Sequence, residues 1–143
     1  MENKDMRKFE FLDHTGDLGI RVFGKSLPDL FRHASEALLH VITDPETIQC
    51  RETRRILLQG HDLEELLIDW LNEFIYLFET QGLLFRDFDF ISLDAQSLEA
   101  RVRGEPYDES RHPIKTTVKS ATHHQLHIRR EKGLWQAQII LDL

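Results

Sequence analysis

A single cysteine, Cys50, stands in this 143-residue sequence. No internal disulfide can form, and the chain is expected to be cytosolic. No apolar run approaches the ~20 residues that a membrane-spanning helix needs, so no membrane partner is expected. Met1 to Glu10 is polar and charged. It holds no apolar core of a leader sequence, so no signal peptide is expected. Positive charge is in deficit: 18 Lys and Arg face 25 Asp and Glu, for a net charge of −7. Direct, non-specific binding to nucleic acid is disfavoured, because phosphate binding needs clustered Lys and Arg. A protein partner with a basic surface fits better. Seven glycines and four prolines are too few and too scattered to mark an interdomain linker. There is no short tandem repeat. There is also no P-loop, no GxGxxG, no GxSxG and no HExxH. Nothing here argues for an autonomous enzyme.

What is present suits one ordinary domain over residues 1–143, with 41% hydrophobic residues for a core. Phe9 to Leu12 reads as a strand, Asp13 to Gly16 as a turn, and Leu18 to Phe23 as a second strand. Ser26 opens a helix, with Asp29 three residues on in a near capping box. Leu27, Leu30, Phe31, Ala34, Leu38, Val41 and Ile42 form its apolar stripe, and Thr43-Asp44-Pro45 ends it. Arg51 to Gln59 reads as a strand. A second helix starts at Gly60-His61-Asp62 and stops at Gly82. Its stripe of Leu63, Leu66, Leu67, Trp70, Leu71, Phe74, Leu77 and Phe78 is wide enough to predict the most buried element. The remainder reads as strands over Phe88 to Leu93, Leu98 to Gly104, Ile114 to Thr122, His123 to Arg130 and Leu134 to Leu141. Glu105 to Pro113 reads as a polar loop. The expected fold is α+β, with two amphipathic helices packed on a largely antiparallel sheet.

The acidic turn Asp13-His14-Thr15-Gly16-Asp17 is the first candidate for chemistry. The plain reading is a turn capped by its own carboxylates. His14 suits a structural hydrogen bond as well as a ligand role. The sharper reading joins the turn to Asp142 and Leu143 at the other end of the sequence. If the fold brings these together, hard oxygen donors gather as Ca²⁺ or Mg²⁺ requires. Lys119, in Thr116 to Thr122, is either an ordinary solvent-facing lysine or a lysine near that cluster, balancing its charge or touching an anionic partner group. His123 and His127 lie four apart, which in a straight strand separates them by roughly 13 Å, too far to chelate one zinc ion. Cys50 has no CxxC partner and no evident base.

Phe11-Leu12-Asp13-His14-Thr15-Gly16-Asp17 and Gly24-Lys25-Ser26-Leu27 resemble the opening of the archease family. The segment Asp62 to Glu73 resembles its second helix. Arg101-Val102-Arg103-Gly104-Glu105, His112-Pro113-Ile114-Lys115, Val118-Lys119 and the ending Ile139 to Leu143 resemble its later segments. The resemblance covers nearly the whole chain. It implies a small protein cofactor of the GTP-dependent RNA-splicing ligase, which joins 2′,3′-cyclic-phosphate or 3′-phosphate ends to 5′-hydroxyl ends. Such a cofactor promotes guanylylation of the ligase's active-site histidine and allows multiple turnover. RNA is then met only through the ligase. The resemblance further implies a divalent ion, commonly calcium, with magnesium or manganese as alternatives. Its ligands here would be Asp17, Asp142 and Leu143, the last through a main-chain or terminal oxygen, with Asp13 and His14 nearby. Lys119 matches a lysine important for activation. Gly16 stands where the family usually has Ala. Ser120-Ala121 and His123 also depart from its pattern, the last replacing a common Tyr. Two other classes stand beside this one. A general chaperone or adaptor of nucleic-acid-processing proteins would act independently of Asp17. A metal-dependent hydrolase would turn over a phosphate ester alone, but no nucleophile or general base is evident.

Overall fold

The computed structural model describes residues 7–14 and 16–143, with Asp13 and His14 described in backbone only. Strands β1 (Phe9–His14) and β2 (Asp17–Gly24) form a hairpin in which His14 faces Asp17. Gly16 lies between them at φ +75°, a left-handed conformation that glycine adopts without a side-chain clash. Helix α1 (Leu27–Ile42) follows, then a 3₁₀ turn (Pro45–Thr47), β3 (Glu52–Gln59) and helix α2 (Leu63–Gln81). The chain continues as β4 (Leu83–Leu93), β5 (Ser97–Pro106), β6 (Ser120–Glu131) and β7 (Leu134–Asp142). Two antiparallel sheets result, ordered β1-β2-β7-β6 and β3-β5-β4. Both helices pack on them, as an α+β domain requires. Among the described residues no helix is long and apolar enough to cross a membrane.

Local chemistry sets the helix ends. The Asp29 N–H donates to the Ser26 hydroxyl at 3.2 Å, and the Glu65 N–H donates to the Asp62 carboxylate at 2.8 Å. Each satisfies one of the four otherwise orphaned N-terminal amides of its helix. Gly82 caps α2 in the left-handed conformation, its N–H donating to Phe78. Every stripe residue of α1 except Leu27 is buried. In α2 only Leu63 and Phe78 of the stripe are partly exposed. The expectation that α2 is the most buried element is corrected: eight of its 19 residues are buried, against nine of 16 in α1 and five of eight in β2. The difference lies in α2's polar side. Trp70 is fully buried and donates its indole N–H to the Phe31 carbonyl at 3.1 Å, which joins the helices.

Three strand boundaries differ from the sequence pattern. β4 starts directly after Gly82, five residues before Phe88, because Leu83, Leu84 and Phe85 are themselves core residues. Ile114 to Lys119 is not strand. The Lys115 N–H goes instead to the Ile42 carbonyl at the end of α1 and the Lys119 N–H to Asp142, while the Thr43 hydroxyl donates to the carbonyl of the preceding Pro113. The two strands expected over Ile114–Thr122 and His123–Arg130 reduce to one, β6, interrupted by a bulge. Thr122 faces Ile140 and His127 faces Gln138, so four residues of β6 oppose one of β7. Gln125 within the bulge has φ 55°.

Candidate acidic site at the end of the first sheet

The hairpin places Asp17 at the first position of β2, and β7 runs antiparallel beside it. Their register sets Asp17 opposite Asp142. On the other side of β7, Ser120 is also opposite Asp142. The row Asp17–Asp142–Ser120 therefore crosses three strands on one face. The Lys119 N–H donates to the Asp142 carbonyl at 2.8 Å, which fixes the start of β6 beside the carboxylates. Asp17, Asp142 and Leu143 are half-buried, and Leu143 packs against the core. Lys119 is exposed. The backbones of Asp13 and His14 pair with Leu18 and Asp17, but their side chains and the whole of Thr15 lie outside the described residues.

Like charges directly opposite in a sheet repel, with Cβ atoms about 5 Å apart. Among the described residues, no Lys, Arg or His lies within ion-pair distance of Asp17 or Asp142. Both carboxylates are half-buried and keep access to solvent. Two carboxylates offer up to four hard oxygens, the donor type that calcium and magnesium take and zinc takes less readily. The described residues hold no group of three His, Cys, Asp or Glu side chains placed for one metal. Further ligands would have to be main-chain oxygens, water or partner groups. His123 lies in the bulge of β6 and His127 directly follows it, so straight-strand spacing does not describe them.

A second polar cluster lies where the sequence pattern indicates only a polar loop. Glu105, in β5, is 1% exposed. Arg111 donates to both of its carboxylate oxygens, at 3.0 and 2.8 Å. The Gln49 N–H and the His112 Nε2–H donate to it as well, each at 2.8 Å. The Asp108 N–H donates to His112 Nδ1, so that nitrogen carries no proton and Nε2 carries it. Arg111 holds the Glu105 carboxyl down to about 2 against the opposing effect of burial, with Gln49 and His112 assisting. Helix α2 carries a further pair: burial raises Asp69 and Glu73, and His123 partly offsets the rise at Asp69. Nearby, the Asn72 carboxamide donates to the Ala121 carbonyl (3.1 Å) and accepts from the Ala121 N–H (2.8 Å). It thus occupies part of the outer edge of β6 as a neighbouring strand would.

A model of the archease protein family matches residues 9–143. The protein archease of Methanosarcina barkeri is 36% identical over 141 residues, 96% of this chain and 97% of its own. That of Methanopyrus kandleri is 39% identical over 138 residues, covering 94% and 99%. The solution structure of Methanobacterium thermoautotrophicum protein 1598 superposes with a TM-score of 0.79 at 33% identity, over 94% of this chain and 98% of that one. A crystal structure described as an archease, possible chaperone, from Thermotoga maritima gives 0.63 at 20% identity, over 92% and 94%, which speaks to the fold alone.

Proposed function

The chain belongs to the archease family, and on that premise we propose that it is a non-catalytic protein cofactor of a GTP-dependent RNA-splicing ligase, acting in the cytoplasm. It promotes guanylylation of the ligase's active-site histidine and permits multiple turnover. RNA is bound by the ligase, in keeping with the net charge of −7. The observation that carries the reading is the cross-strand pair Asp17 and Asp142, two facing carboxylates with no cationic partner among the described residues. A divalent ion, calcium in the first instance and magnesium or manganese as alternatives, would be held by Asp17, Asp142 and an oxygen of Leu143. It would neutralise the pair and stiffen the sheet end into a tip. Asp13 and His14 belong to the same turn and serve as secondary contacts. Lys119 presents its ammonium beside the tip to an anionic group of the ligase.

The test is ligase turnover with excess RNA ends, with and without this protein. Wild type should stimulate, and folded Asp17→Asn, Asp142→Asn and Lys119→Ala variants should not. Normal stimulation by the aspartate variants would make the acidic pair structural and remove the tip from the mechanism. The alternative is a general chaperone or adaptor of nucleic-acid-processing proteins; the Thermotoga maritima structure is described as an archease, possible chaperone. It predicts that wild type and Asp17→Asn protect the ligase from aggregation equally.

A further inference from the structure

Strand β6 reaches the acidic end of the sheet through a short ladder. Ser120, Ala121 and Thr122 pair with β7 there, opposite Asp142, Leu141 and Ile140. From residue 107 to residue 119 the chain is neither helix nor strand, and after Thr122 the register breaks until His127. The ladder is thus a three-residue piece between two irregular segments, at the short end of strand lengths. Both backbone groups of its middle residue are turned to α2 instead of β7. The Asn72 carboxamide accepts the Ala121 N–H at 2.8 Å and donates to the Ala121 carbonyl at 3.1 Å. Asn72 sits in the middle of α2, flanked by the buried Leu71 and Phe74, so its backbone is held by the core. An amide offers a donor and an acceptor from one planar group, whereas the neighbouring Asp69 and Glu73, when ionised, offer acceptors alone.

We propose that Asn72 is a positioning residue of the acidic tip, fixing the end of β6 so that Lys119 stands at a set place beside Asp142; the proposal rests on the ligase-cofactor reading above. Asn72 acts through Ala121, which lies two residues from Lys119, roughly 7 Å along the strand. The Lys119 N–H donates to the Asp142 carbonyl at 2.8 Å, and the Thr122 hydroxyl donates to the Ile140 carbonyl at 3.1 Å. With Asn72 in place, the ladder is gripped on both edges, by β7 and by α2. Lys119 then stands between two fixed points, Val118 in the core and Ala121 on the helix. Without Asn72 the ladder hangs from β7 alone, and the backbone that carries the exposed ammonium gains freedom. A contact whose backbone is ordered before binding avoids the entropy cost of ordering it on binding.

The experiment compares wild type, Asn72→Ala and Val102→Ala at a temperature where circular dichroism shows all three folded. Val102 is fully buried in the other sheet, so its truncation destabilises the domain without touching β6. Two quantities are read: hydrogen exchange at the Lys119 amide, in the protein alone, and ligase stimulation with excess RNA ends. In Asn72→Ala the Lys119 amide should exchange about tenfold faster than in Val102→Ala. Its stimulation should fall about tenfold, as a displaced contact group would cause, while Val102→Ala stimulates as wild type does. Equal exchange at Lys119 in the two variants, wild-type stimulation by Asn72→Ala, or equal loss of stimulation in both variants overturns the positioning role and leaves the ligase reading standing. Absence of stimulation by wild type overturns that reading and the role with it. If Asn72→Ala does not fold, Asn72→Asp takes its place, since it keeps the acceptor for the Ala121 N–H and loses the donor.

Discussion

Glu105 is a carboxylate almost without water, and four donors keep it ionised. Removing one member of a buried ion pair leaves the others unpaired, at a cost of about 3–5 kcal/mol. Glu105→Ala should therefore lose about 3 kcal/mol at pH 7 in urea denaturation, the lower figure because Arg111 is partly solvated. The pH dependence has a definite sign. The folded carboxyl is depressed to about 2, whereas a glutamate in the unfolded chain titrates near 4.3, roughly its unperturbed value. Its contribution is present above the unfolded value and is lost as pH falls toward 2. The gap between wild type and variant should narrow between pH 4.5 and 2.5, and a constant gap would refute the coupling. Glu73 runs the opposite way, since burial raises it. The stability it lends when protonated is lost as pH rises through its titration. Glu73→Gln should raise the melting temperature at pH 7 and leave it unchanged at pH 3.5.

At the scale of elements, the edge of β6 depends on one side chain from a helix. Asn72 makes both of its bonds to the backbone of Ala121. Asn72→Ala should cost about 1–3 kcal/mol, since it strands a donor and an acceptor. Hydrogen exchange at the Ala121 amide should accelerate more than at Ile139, which lies in the central strand β7. Equal acceleration at both sites would mean global destabilisation instead. The helices themselves were readable from sequence, because Ser26, Asp62 and Gly82 act on backbone groups within four residues of themselves. β6 and the connection over residues 107–119 that leads into it were not. Their partners are Ile42, Thr43 and Asn72, some 50 to 70 residues upstream, and periodicity carries no record of such bonds. The polar run after Gly104 has the composition of a solvated loop, and only its tertiary setting makes Glu105 a buried anion. For the candidate site, the sequence showed that Asp17 and Asp142 were able to meet. The register that sets them opposite each other came from the structure.

At the scale of the molecule, a cation between Asp17 and Asp142 would tie β2 to β7, two strands far apart in sequence. Binding only the folded state at 100 times the dissociation constant stabilises by about 2.7 kcal/mol. For a domain of this size that corresponds to roughly 8 °C in melting temperature. Calcium titration should produce such a rise in wild type and none in the Asp17→Asn/Asp142→Asn double variant. A rise of equal size in both would place the ion elsewhere.

The pairing of β2 with β7 has a further consequence for biosynthesis. Asp17 leaves the ribosome about 125 residues before its cross-strand partner Asp142. While the nascent chain lacks β7, β2 has only β1 beside it and the acidic pair does not exist. Closing so large a loop is also slow, because the intervening chain must first be ordered. The acidic pair therefore forms only after the whole stretch between β2 and β7 has been made, so a chain halted within that stretch lacks it.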